Sequence, residues 1–178
     1  LAERTSNKSF GIVEGLSIIG TTAETYISAS PEQLKNAMKE LNQVISDHCT
    51  DAITFVIGEN GLDLAKKINI PFPIIKVGNW IGPLLVHAAK QNVKKILLFG
   101  YYGKLIKLAG GIFHTHNHLA DARIEILVYL AVKEKLPLKI IYSFMNSQTI
   151  DDAIKIVEGL NIEFAKKLLF QISHYAEI

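Results

Sequence analysis

The chain has 178 residues, of which 49% are hydrophobic and 20% charged, and 19 Lys and Arg stand against 17 Asp and Glu. That size and balance supports a buried core in one domain, or a domain with an appendage, and excludes bulk intrinsic disorder. No apolar run approaches the ~18 residues of a membrane span, a single Cys49 excludes an internal disulfide framework, and the dispersed Lys and Arg argue against a nucleic-acid surface.

The first residues, Leu1-Ala2-Glu3-Arg4-Thr5-Ser6-Asn7-Lys8, have neither an initiator Met nor the apolar core of a signal peptide. They read as a loose start to a processed or excised piece, from a protein expected in the cytoplasm. Gly11 to Thr22 (GIVEGLSIIGTT) reads as a loop and short strand. Ser30-Pro31-Glu32-Gln33 is a helix start, with a capping Ser and Pro at the first position. Leu34, Met38, Leu41, Val44 and Ile45 follow at helical spacing, predicting a helix to about Asp47.

One local pattern then repeats three times. Ala52–Ile57, Phe72–Val77 and Lys95–Phe99 are short β-rich apolar runs, ending at Gly58, Gly78 and Gly100. Each leads into a helical stretch: Leu62–Lys67, Ile81–Lys90 and Leu105–Ala109. Strand, glycine turn and helix in repetition predict βαβ units, hence an α/β fold with an open, mostly parallel sheet and helices on both faces, Rossmann-like in three layers. Continuous apolar runs suit parallel strands covered on both sides. Ala120–Lys135 reads as a further helix and Lys139–Phe144 as a further strand. Thr149-Ile150-Asp151-Asp152 caps a helix through Val157, and Asn161 opens the last, Ile162–Tyr175. With no Pro-, Gly- or Ser-rich linker, residues 1–178 read as one domain.

In an open parallel sheet, ligands bind outside the carboxyl ends of the strands. The three glycine turns lie there: Gly58-Glu59-Asn60-Gly61, Gly78-Asn79-Trp80-Ile81-Gly82 and Gly100-Tyr101-Tyr102-Gly103-Lys104. Glycine lets backbone approach a ligand, and the helix start after it offers free N–H groups. Glu59 suits ribose hydroxyls or the ammonium of an amino-acid-bearing cofactor. None of the turns has the G-x-G-x-x-G or Walker A spacing, and singly each is equally well a tight turn with no ligand. Trp80 and the Tyr101-Tyr102 pair suit either an aromatic wall for a flat ligand or plain packing.

The sharpest feature is Gly110-Gly111-Ile112-Phe113-His114-Thr115-His116-Asn117-His118. An extended conformation would point all three imidazoles to one side. They read as metal ligands with Asp121, as groups that orient a substrate or shuttle a proton, or simply as helix caps and solvated side chains. Asp121 and Glu125 share a helix face; Arg123 lies elsewhere, as an anion contact or an ordinary surface residue.

Gly100-x-x-Gly103-Lys104-Leu105-x-Lys107-Leu108-Ala109-Gly110-Gly111-Ile112-Phe113-His114-Thr115-His116, followed by Ala120-Asp121-Ala122-Arg123-x-Glu125, resembles the cobalt-precorrin-5B (C1)-methyltransferase family, CbiD. Phe55–Asp63, Gly78–Gly82 and Ile12–Thr22 resemble it too, so the likeness covers most of residues 9–130. Family members are longer, with a Gly/Thr/Ala-rich first half, so the expectation is a C-terminal portion separated from an N-terminal half. The resemblance implies methylation of a cobalt-bearing tetrapyrrole at C1 in anaerobic cobalamin synthesis, with S-adenosylmethionine as cofactor. It implies His114, His116 and Asp121 as catalytic candidates, and Gly58, Glu59, Gly61, Gly78, Asn79, Gly100 and Gly103 as cofactor contacts. Lys104, Lys107, Thr115 and Arg123 would meet the substrate and its carboxylates. The cobalt is the substrate's own, so no protein-bound metal is implied. A metal-dependent hydrolase using His114, His116 and Asp121, and a non-catalytic α/β binding module, are the alternatives, and a homo-oligomer stays open.

Overall fold

The structure, a computed structural model, describes residues 30–117, 119–160 and 162–177, the side chains of 59, 60, 157, 158, 160 and 162 apart. The expected strand within Gly11–Thr22, the expected loose start, and His118 and Asn161 lie outside the described residues.

Helix α1 spans Pro31–His48 and begins as its sequence dictates: Ser30 Oγ accepts from the Gln33 amide at 3.4 Å, and Pro31 occupies the first turn. Its apolar stripe buries Leu41 fully and packs Leu34, Met38 and Val44 against the core. Strand β1 (Ala52–Ile57) follows, then α2 (Glu59–Lys67), β2 (Ile74–Lys76), α3 (Ile81–Lys90) and β3 (Lys95–Gly100). The strands form a parallel sheet in the order β2-β1-β3, with Phe55 beside Ile75 on one side and Leu98 on the other. All six residues of central β1 are buried. Because successive side chains point to opposite faces, both faces of β1 are covered, which is what a run without alternation requires. The β2 ladder extends past its three residues: Thr54 N–H donates to Pro73 C=O and Val77 N–H to Val56 C=O. Pro73 has no amide to give, so it serves only as acceptor.

The rest is helical: α4 (Tyr102–Leu108), α5 (Arg123–Lys133), α6 (Leu138–Met145), α7 (Ile150–Leu160) and α8 (Ile162–Ala176). α4 packs on α5 and α8, and α5 to α8 pack on one another. The expected strand at Lys139–Phe144 is instead helix α6. Pro137 stands at its N-cap, and Ile141 and Phe144, three apart, are the residues it buries. An extended segment there would put Lys139 and Ser143 on the same face as Ile141, so helical spacing separates polar from apolar side chains better. The α7 start holds, with Thr149 Oγ1 accepting from the Asp152 amide at 3.2 Å. The fold is therefore α/β around an open parallel sheet, as expected. Among the described residues, no helix is long and apolar enough to cross a membrane.

Candidate functional site

The carboxyl ends of β1 and β2 open into a crevice of 370 Å³ lined by Gln33, Gly58, Lys76, Gly78, Trp80 and Lys104 among others. Gln33 reaches it because α1 starts at this end of the sheet. Gly58 (φ +83°) and Gly78 (φ +58°) hold left-handed backbone that side chains rarely adopt, and at each a Cβ would meet no atom of the described residues within 4 Å. Together they leave backbone bare for a ligand. The other glycines of the turns are there for packing. A Cβ at Gly61 would meet Gly100 Cα and Val56 Cγ1, both at 3.2 Å; one at Gly100 would meet Ile57 O at 2.9 Å. One at Gly103 would meet Ile150 Cγ2 at 3.3 Å. These three hold α2, β3 and α4 against their neighbours. Glu59 opens α2 beside the crevice.

The histidine loop is tied directly to the β2 turn. Gly82 N–H donates to Phe113 C=O at 3.1 Å and Thr115 N–H to Asn79 C=O at 3.2 Å. Asn79 Oδ1 accepts from Lys104 Nζ at 2.9 Å and from Thr115 Oγ1 at 3.1 Å. Thr115 is fully buried and clamps the loop to the strand tip, while Asn79, nearly buried, also lines the crevice. The His114 ring stands edge-on to Trp80 with centroids 4.5 Å apart, and the His116 ring lies 6.4 Å further on. Trp80 lines the crevice, so His114 backs its wall. Both ring nitrogens of His114 and Trp80 Nε1 are buried without a hydrogen-bond partner among the described residues, an unusual concentration of unsatisfied polar atoms at one point.

Lys107 explains how the loop keeps its shape. It is 0% exposed, and its Nζ donates to Thr115 O at 3.2 Å, Asn117 Oδ1 at 2.7 Å and Ala120 O at 2.8 Å. Three donors meet three oxygens of one loop. Lys107 is thus a post that ties Thr115, Asn117 and Ala120 together, buried away from any substrate carboxylate. Burial pushes its amine below the ordinary lysine range, partly offset by the Asp121 charge. Burial likewise lowers Lys104, which does face the crevice.

Asp121 and Arg123 lie elsewhere. They form a two-pronged ion pair at 2.7 and 2.6 Å and, with Glu125 and Thr149, line a second hollow of 260 Å³. The Arg123 hydrogen bonds hold the Asp121 carboxyl below the usual carboxylate range. Tyr101 and Tyr102 stack at 4.3 Å and both bond Asp151, so they do not wall the crevice. Among the described residues, no group of three or more His, Cys, Asp or Glu is arranged to hold a metal ion, which leaves the hydrolase reading without support. Sequence reasoning missed Gln33 and Lys76 as crevice residues. Their signals were the Ser30-Pro31 cap, which fixes where α1 begins, and the position of Lys76 two residues before a turn glycine.

Burial pushes the His114 imidazole down first, and the charge of His116 adds to this. A folded imidazole that resists protonation contributes stability above the ordinary value of about 6.5, lost as pH falls towards its folded value. Thermal melts should therefore show stability declining below about pH 6.5. His114→Phe should flatten that decline, and an unchanged slope would show that another group sets it.

Residues 114–178 match the family model described as "CbiD, C-terminal domain". A cobalt-precorrin-5B C(1)-methyltransferase of Prochlorococcus marinus subsp. pastoris is 67% identical over 177 residues, covering 99% of this chain and 48% of that protein. The protein of the same name from Prochlorococcus marinus strain MIT 9515 is 63% identical over 177 residues, again 99% of this chain and 48% of that protein. No solved structure matches the chain. The chain thus spans about half the length of the curated relatives it matches, and their likeness runs through the crevice turns and the histidine loop alike. On these matches, residues 114–178 carry the CbiD C-terminal domain, and the chain as a whole is similar to cobalt-precorrin-5B C(1)-methyltransferases over about half their length.

Proposed function

We propose that this chain supplies the methyl-donor side of an S-adenosylmethionine-dependent enzyme that methylates C1 of cobalt-precorrin-5B in anaerobic cobalamin synthesis. The observation that carries the reading is the joining of the bare Gly58 and Gly78 backbones, Lys104 and the His114–His116 loop around one crevice. Its 370 Å³ falls within the ~300–1,000 Å³ of small-molecule sites, and suits one cofactor without a macrocycle beside it. The tetrapyrrole would then lie across the mouth, walled on its far side by the half of the family protein that this chain does not span.

S-adenosylmethionine, when bound, supplies an electrophilic methyl group. The chain's own task is alignment, worth effective molarities of ~10⁵ M or more for a well-oriented in-line displacement. Gly58 and Gly78 admit the cofactor to the backbone, with Glu59 beside them for its hydroxyls or ammonium. Lys104 draws in a substrate carboxylate through a charge-assisted hydrogen bond. His116 accepts a proton from the macrocycle, which makes the attacking carbon more electron-rich. His114, whose nitrogens are buried, sets the position of Trp80 and so the width of the crevice.

Three measurements on a full-length family protein carrying this sequence test the reading. Calorimetry should register S-adenosylhomocysteine binding, and absence of heat at millimolar ligand would overturn it. Lys104→Ala should weaken tetrapyrrole binding at least tenfold, since a hydrogen bond to a charged group contributes about 1.5–3 kcal/mol. Unchanged turnover in His116→Ala would leave the domain a binding role only.

A further inference from the structure

The order β2-β1-β3 leaves the outer side of β3 without a strand partner among the described residues. Along that side runs a trough of 480 Å³, lined by Ile96, Leu97 and Leu98 of β3, Leu85 of α3, and Leu169 and Ile172 of α8. Leu97 is 39% exposed and Leu169 61%, large apolar side chains left in water. Among the described residues, the only charged groups on the lining are Lys94 and Glu177.

Three consecutive strand residues line the trough, so it follows the strand edge and carries a row of backbone N–H and C=O groups beside its apolar walls. A helix laid there would cover the leucines and leave those groups unpaired, whereas an extended segment answers both. Native proteins cover or break up a long apolar edge, because a bare one templates aggregation. The curated relatives carry about as much chain again as the part matched here. We infer that β3 is the docking edge for the other half of the family protein, which adds an extended apolar segment as a fourth strand. Alternate side chains of that segment enter the trough between α3 and α8, and the rest face outward. This contact joins the two halves through the sheet itself, so the strand tips and the missing wall of the crevice are held in one rigid body.

Hydrogen exchange followed by mass spectrometry tests the contact in two proteins: this chain alone, and a full-length family protein carrying it. Amides of Lys95–Gly100 that do not bond β1 should exchange roughly tenfold or more slowly in the full-length protein. Leu97→Asp should restore fast exchange there while leaving the melting temperature of the chain alone nearly unchanged. Equal exchange in both proteins would overturn the proposal, as would protection already complete in the chain alone. Light scattering showing the chain alone to be a dimer with β3 protected would assign the edge to a second copy, and would overturn it as well. Because no cofactor is used, failure of this contact is separate from failure of the methyl-transfer reading.

Discussion

Lys107→Met is expected to lower the melting temperature of the chain by roughly 6–12 °C, the equivalent of about 3 kcal/mol in a domain of this size. Met keeps the length and apolar stem of the side chain, so it opens little cavity. It removes three donors at once, and Thr115 O, Asn117 Oδ1 and Ala120 O lose the group that holds them together. Each buried acceptor left unsatisfied costs about 1–3 kcal/mol, though water admitted to the loop recovers part of that. A gain runs the other way, since burying an ammonium is itself unfavourable, and replacing buried charge by apolar groups is at times neutral. That offset is limited here because the three oxygens already satisfy the ammonium protons, while Met satisfies none of the oxygens. The chain has one tryptophan, Trp80, which touches His114 in the same loop, so its emission reports the loop directly. A red shift should accompany the lost stability. A variant with unchanged melting and unchanged emission would show that the loop does not depend on this post.

The contrast between Lys104 and Lys107 shows where sequence reading stops. Both follow the Gly100 turn, three residues apart, and by type and spacing both are fair candidates to clamp an anionic substrate. One lines the crevice and the other is fully buried, and the difference depends on where Thr115, Asn117 and Ala120 return, which spacing along α4 does not encode. The strands were legible because each is a compact apolar run closed by glycine, a local signal. The role of each glycine was not, because Gly58 and Gly100 look alike until the distance to a neighbouring strand is known. Gly58 faces open space, and Gly100 lies against Ile57. The α6 segment misleads for a related reason: a six-residue apolar run is short enough to pass for a strand, although helical spacing sorts its polar and apolar side chains better. Asp121 and Arg123, two residues apart, carry a local signal for the pair they form, although the same carboxylate is also close enough in sequence to suit the imidazoles.

Gly82→Ala should separate site geometry from stability more sharply than any histidine substitution. Gly82 is the second residue of α3, and a Cβ there would sit 2.8 Å from Phe113 Cβ and 3.7 Å from Phe113 O. Real carbon atoms do not approach that closely, and Phe113 Cβ is anchored at the backbone, so the loop must move rather than a flexible tip. The same contact carries the Gly82 N–H to Phe113 C=O bond, one residue before His114. Overpacking of this kind costs about 1–3 kcal/mol, which the core should survive. Displacing the loop is the larger effect, because misplacing reacting groups by ~1 Å can cost a factor of about 100 in rate. In a full-length family protein carrying this sequence, methyl transfer should therefore fall roughly 100-fold while the melting temperature falls by about 2–12 °C. Gly159→Ala serves as the control, since no atom of the described residues lies within 4 Å of its Cβ position and α7 should gain from the change. If Gly82→Ala turned over at the wild-type rate with the loop displaced, the histidine loop would have no part in positioning the reaction.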